Sequence, residues 1–188
     1  MIAFAISYGL LTLVTLWASA GALPGAFASR VWVALAVYAV VAITLIKRNK
    51  AELSPPGVAF ADTRSRLAGI GSLFIGLGYL LVLKFLFPAY LSEQSIAIHA
   101  SPAAATVGLA VTLALSDFSY RRFFAPAWGP ASAAFLEALT WGLATQSFVP
   151  FTWIFATGWL TSRVIAPKNA LASALVRLVI GLAWITFA

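Results

Sequence analysis

Ser116-Asp117-Phe118-Ser119-Tyr120-Arg121-Arg122-Phe123-Phe124-Ala125-Pro126 closes an apolar run that begins near Pro102. The stretch sets an acid and two bases at the end of a segment otherwise suited to lipid. An ionisable side chain inside a membrane segment is costly unless it is paired or wetted. Asp117 and Arg121 stand four apart, so on a helix they share a face, with the acid N-terminal to the base, the better orientation. One reading is a salt bridge beside the membrane, with the bases marking the cytoplasmic side. The other is a site inside a bundle.

The surrounding composition decides the fold class. Of the 188 residues, 62% are apolar and 9% charged. Soluble domains have about 45–50% apolar and about 25% charged residues. Several runs reach the roughly 20 apolar residues that a span requires. Backbone groups in lipid must be satisfied within the segment, and the short alternating strands of a barrel are missing, so the spans are helices. The expected fold is all-α, a polytopic integral membrane protein with about seven transmembrane helices in one bundle. Residues 1–188 then form a single transmembrane domain.

The runs follow in order. The first is Met1 to about Leu23, read as a retained span because no basic n-region precedes it. Pro24-Gly25 makes a turn, and a second span runs from about Ala28 to Ile46. The polar loop Lys47–Arg66 follows, then a third span from about Leu67 to Phe87. In it Ala68, Ser72 and Gly76 repeat every four residues, a small-residue seam for close helix contact, and Lys84 snorkels near the far end. The loop Pro88–Ser101 holds Glu93 and His99. The fourth span runs from about Pro102 into the opening stretch, with Ala104 and Gly108 as a second small-residue contact. Pro126 to Pro130 turns the chain. The fifth, sixth and seventh spans are about Ala131–Gln146, Val149–Val164 and Asn169–Phe187. Trp32, Tyr90, Trp128 and Trp184 lie near span ends and suit aromatic belts. No internal repeat is evident.

Charge orients the chain. Lys47, Arg48, Lys50, Arg64, Arg66, Arg121, Arg122, Arg163 and Lys168 follow spans two, four and six, whereas only Arg30 follows spans one, three or five. The positive-inside rule puts the N-terminus inside and the C-terminus outside. The expected location is a bacterial inner (cytoplasmic) membrane. A net charge of +7 points to the lipid bilayer and its anionic headgroups as a partner, and no nucleic-acid motif accompanies it.

Cysteine is absent and His99 is the single histidine, which excludes disulfides, thiolate metal sites and two-histidine centres within one chain. No phosphate-binding glycine loop and no haem or zinc spacing occurs, so neither cofactor nor metal is expected. The candidate site residues are the intramembrane polar ones: Asp117, Arg121, Glu137, Thr145 and Arg177, with Gln146 beside them. Glu137, Trp141 and Thr145 form one stripe on the fifth helix. Asp117 and Glu137 offer either an acid–base pair or structural ion pairs. Glu137 and Arg177 each lie roughly 13–15 Å in from the inner end of their helices, at ~1.5 Å per residue, and are expected to pair.

Ser116-Asp117-Phe118-Ser119-Tyr120-Arg121 resembles the first motif of the CPBP intramembrane proteases, the CAAX-processing and bacteriocin-processing family, in which two glutamates precede three residues and an arginine. Leu139–Thr145 stands where that family carries a phenylalanine and a histidine. Phe155–Arg163 is similar to its Gly-rich penultimate helix ending in arginine. Arg177 and Gly181 stand where its last helix carries a histidine and an asparagine. The resemblance covers about residues 100–188, a four-helix half behind the N-terminal spans of residues 1–99. It implies a glutamate-activated water assisted by histidines and asparagine. Here Ser116 and Asp117 replace the glutamates, Thr145 and Arg177 the histidines, and Gly181 the asparagine.

The expected function is therefore a CPBP-like membrane protein without competent protease chemistry, a pseudoenzyme acting as a binding or structural subunit with a membrane-protein partner. One alternative is a variant intramembrane endopeptidase that uses Asp117 as the water-activating carboxylate. The other is a small transporter or lipid-handling protein whose buried charges form the pathway.

Overall fold

The computed structural model describes residues 9–10, 24–48, 55–89, 103–145 and 148–187. Among them every regular element is helical. Helix α1 is Pro24–Arg48 and opens on a proline, whose missing N–H costs nothing in a first turn. A 3-10 turn, Pro56–Ala61, leads into α2, Thr63–Leu86. Helix α3, Ala103–Ser119, passes into a π-helical turn, Tyr120–Phe124, and the short α4, Ala125–Trp128. Gly129, at φ 83°, takes the left-handed conformation that ends α4 and starts α5, Pro130–Thr145. The chain turns at Gly129 rather than across the whole of residues 126–130, because Pro126 sits in the first turn of α4, where proline is tolerated. Helix α6, Phe148–Leu160, also ends in a π turn, Thr161–Ile165, and α7 is Ala170–Phe187. The first predicted span lies outside the described residues apart from the helical Gly9 and Leu10, as do Tyr90, Glu93, His99 and Gln146.

The centre of the bundle is α3 against α7. Helix α1 covers the outside of α3, α5 pairs with α6, and α2 lies across α6 and α7. Ala68, Ser72 and Gly76 form the buried seam of α2. A methyl on Gly76 would come within 2.9 Å of Ile180 Cγ2, so the glycine sets how closely α2 approaches α7. Gly108 meets Val31 and Trp32 of α1, but Ala104 is exposed and takes no part in that contact. Trp184 packs edge-on against Trp153 at 4.8 Å instead of standing outward as a belt residue.

Helix α2 is long and apolar enough to cross a membrane, and only 28% of its most apolar window is buried. Its Leu67, Phe74, Leu81, Phe85 and Leu86 point away from the bundle. A core helix of a soluble domain would hide such residues. Lys84, exposed near the end of this face, suits a snorkelling side chain. The apolar segments Val31–Lys47 and Ala170–Thr186 are shorter.

One end of the bundle is tied by polar contacts. Asp62 caps α2 by accepting from the Ser65 backbone N–H at 3.1 Å, and Lys168 Nζ reaches the same carboxylate at 2.5 Å. Lys168 thereby holds the Asp62 carboxyl down from its ordinary 3.8 to about 2. Asn169 caps α7 through the N–H groups of Leu171 and Ala172, and its amide donates to the Pro55 carbonyl at 3.1 Å.

Candidate functional site

Four of the five candidate residues meet in the middle of the bundle. Asp117 comes from α3, Arg121 from the π turn after it, Glu137 from α5 and Arg177 from α7. All are buried, at 0–3% exposure. Arg121 Nη2 lies 3.1 Å from Asp117 Oδ1 and 2.7 Å from Glu137 Oε2. Arg177 Nη2 lies 3.6 Å and 3.7 Å from the same two oxygens. Two acids and two bases thus form one neutral cluster, each guanidinium bridging both carboxylates. The expected Glu137–Arg177 pair exists, but Arg121 is the nearer partner of Glu137. Asp117 does not keep Arg121 to itself, and Arg121 is an interior residue rather than one of the loop charges.

The neighbours explain how the cluster fits. Ser173, one turn before Arg177 on α7, donates to Asp117 Oδ2 at 2.7 Å. Thr157 donates to the Trp153 carbonyl at 2.7 Å, which leaves its lone pairs free to accept from Arg177 Nη1. Arg177 Nη2 also donates to the Ile154 carbonyl at 3.1 Å. Gly158 forms the floor. A Cβ there would stand 2.6 Å from Arg177 Nη2 and 2.7 Å from Arg121 Nη2, so any larger residue would displace both guanidinium groups. Around this core Tyr120 and Thr140 share a hydrogen bond at 2.7 Å, and Trp141 donates to Ser116 at 3.1 Å. Thr145 closes α5 about 12 Å along the axis from Glu137, at ~1.5 Å per residue, and its side chain is outside the described ones.

The two π turns share a local cause. Arg122-Phe123-Phe124-Ala125-Pro126 and Arg163-Val164-Ile165-Ala166-Pro167 repeat one pattern, Arg-x-x-Ala-Pro. Neither proline has an N–H for the arginine carbonyl four residues back, and its ring would clash with that carbonyl in an α-helix. The chain widens by one residue instead: the Ala125 N–H donates to Tyr120 O and the Ala166 N–H to Thr161 O. This short internal repeat was not evident from composition or run lengths. Aligning the two copies sets Asp117 against Gly158, the acid of one helix against the gap that receives the arginines on the other.

Sequence reasoning missed Gly158, Thr157 and Ser173. The repeat points to Gly158, and spacing by four residues from Arg177 points to Ser173. Nothing in the sequence marks Thr157 apart from its place beside Gly158.

The chemistry open to this arrangement is narrow. Activating water needs a carboxylate in reach of water, with donors placed for the developing charge. Asp117 and Glu137 are both closed from solvent and shared by guanidinium groups. The described residues contain no group of three or more ligand-type side chains that could hold a metal ion. No protein-family model, curated protein or solved structure matches the chain.

Proposed function

We propose that this chain is a polytopic membrane protein of CPBP-like helix arrangement without protease chemistry, serving as a binding or structural subunit of a membrane complex. The observation that carries the reading is the sealing of Asp117 and Glu137 by Arg121 and Arg177. Carboxylates held in this way are compensated by the two arginines and are poorly placed to attack a peptide. The outward apolar face of α2 supports the membrane part of the reading.

The proposed orientation has seven spans, the N-terminus inside and the C-terminus outside, in a bacterial inner membrane. It is supported by the grouping of the loops after the second and sixth predicted spans. Asn169 reaches Pro55 and Lys168 reaches Asp62, as alternating spans require.

The test is peptidase activity of the purified full chain on a quenched membrane peptide, run beside native mass spectrometry of the protein released from its own membrane. No turnover and a partner in fixed stoichiometry are expected. Turnover that is lost in Asp117→Asn would overturn the non-catalytic reading and favour the variant endopeptidase. Reporter fusions after Lys50 and after Ala188 test the topology; reporters on the same side would end the seven-span arrangement.

A further inference from the structure

At the end of the bundle, between the two π turns, lies a cavity of about 420 Å³, within the range of about 300–1,000 Å³ usual for small-ligand sites. Arg121, Arg122 and Pro126 line one wall, and Ser162, Pro167 and Lys168 line the other. Among the described residues no acidic one lines it. We propose that this cavity binds a phosphate-class anion, presented either as a lipid headgroup or as a free phosphate.

Charge is the first reason. Among the described residues no carboxylate lies within ion-pair distance of Arg122, which is half-buried at the cavity wall. Arg121 adds no donor to the cavity: its guanidinium is closed from solvent, with Nη2 shared by both acids of the cluster. Lys168 donates to Asp62 and to Ser65, which leaves one of the three donors of its ammonium group. The cavity is therefore a one-sign surface beside a neutral cluster.

The donor geometry is the second. Arg122 and Lys168 come to the cavity from different elements, and a planar guanidinium favours phosphate oxygens, while the buried Ser162 hydroxyl already donates to the Gly158 carbonyl at 2.6 Å. A carboxylate offers two oxygens, whereas a phosphate monoester offers three and can take donors from several directions. The first turn of α7 is already capped by Asn169, so side chains would hold the anion, not the helix end.

Rigidity is the third. Pro126, Pro130 and Pro167 stand in the walls, and π turns recur at functional sites. A lipid source for the anion rests on the membrane reading above, because basic pockets between spans at the Lys/Arg-rich side are where headgroups lie. A soluble source does not.

The experiment uses the full chain in a neutral detergent. Inorganic phosphate is titrated calorimetrically. Separately, phosphatidic acid and phosphatidylcholine are added and bound lipid is counted by native mass spectrometry. Binding of phosphate or phosphatidic acid, with phosphatidylcholine excluded, is expected. Phosphatidic acid alone identifies a lipid source, and phosphate alone a soluble one. Arg122→Gln, which leaves the buried cluster intact, should weaken binding about ten- to a hundredfold, the loss of one charge-assisted contact. Lys168→Gln is the second variant, and a melting curve establishes that each is folded. Silence with both anions, equal retention of phosphatidylcholine, or wild-type affinity in both folded variants would overturn the proposal. The reporter fusions fail or succeed independently of the phosphate titration, so a wrong topology and a wrong site can be told apart.

Discussion

The cluster of Asp117, Glu137, Arg121 and Arg177 and the pair Asp62–Lys168 are built from the same chemical groups in opposite surroundings. The cluster has no access to solvent, while the side chains of the pair are each 45% exposed. In the interior a charge without a partner costs several kcal/mol, so every charged member needs the others. At the surface water solvates whichever partner is left, so the pair orders two loops at little cost either way. Parting the helices that bear the cluster would therefore leave buried charges uncompensated, whereas parting the outer pair would not.

Breaking the cluster should give the largest effects. Glu137→Gln and Arg177→Leu each leave an uncompensated charge and should cost about 3–5 kcal/mol, and the double variant, neutral again, should recover part of the loss. Reversible unfolding in mixed micelles measures this. Purely additive losses would show that the two side chains do not share a cluster.

A methyl group probes the same place without altering charge. Gly158→Ala would press on both guanidinium groups, so it should cost about 1–3 kcal/mol, the usual range for overpacking. The loss should shrink in an Arg177→Leu background, where one of the two contacts is already gone. An equal loss in both backgrounds would place the strain elsewhere.

The smallest effect belongs to the outer pair. Because the folded carboxyl of Asp62 sits near 2 and its ordinary value is 3.8, its stabilising contribution is complete above about 3.8 and fades as the pH falls through about 2. NMR titration of the Asp62 carboxyl should find a midpoint near 2 in the wild type, moving back toward 3.8 in Lys168→Met. The melting temperature of that variant at neutral pH should match the wild type within error. A large drop would mean that the surface pair carries more of the fold than its exposure allows.

Much of the helical framework was legible in advance. Apolar runs of suitable length and their prolines and glycines placed α1, α2, α3, α5, α6 and α7 to within a few residues, because helix formation depends on neighbours one turn away. The Asp117–Arg121 contact is of that local kind. The small-residue seam of α2 was legible too, from spacing alone. Ala104 misled because a small residue in an apolar run can face outward as readily as inward, and Trp184 because an aromatic near a helix end can serve the core instead of an interface.

By itself the sequence determined that this chain is helical and apolar and that its few internal charges balance. It also holds the Arg-x-x-Ala-Pro pattern twice, but the widening of both helices there was seen only in the structure. Only the tertiary structure decided that Arg121 leaves its loop for the interior, that Glu137 has two arginines instead of one, and that Gly158 makes room for both. The reason is physical. A residue's neighbours along a helix follow from a fixed rise and turn, whereas its neighbours across a bundle depend on how close the helices come. That approach is set here by the absence of a side chain at Gly158 and Gly76; spacing marks Gly76 as a contact position, but the side chains that fill the two gaps come from other helices and are not written beside them.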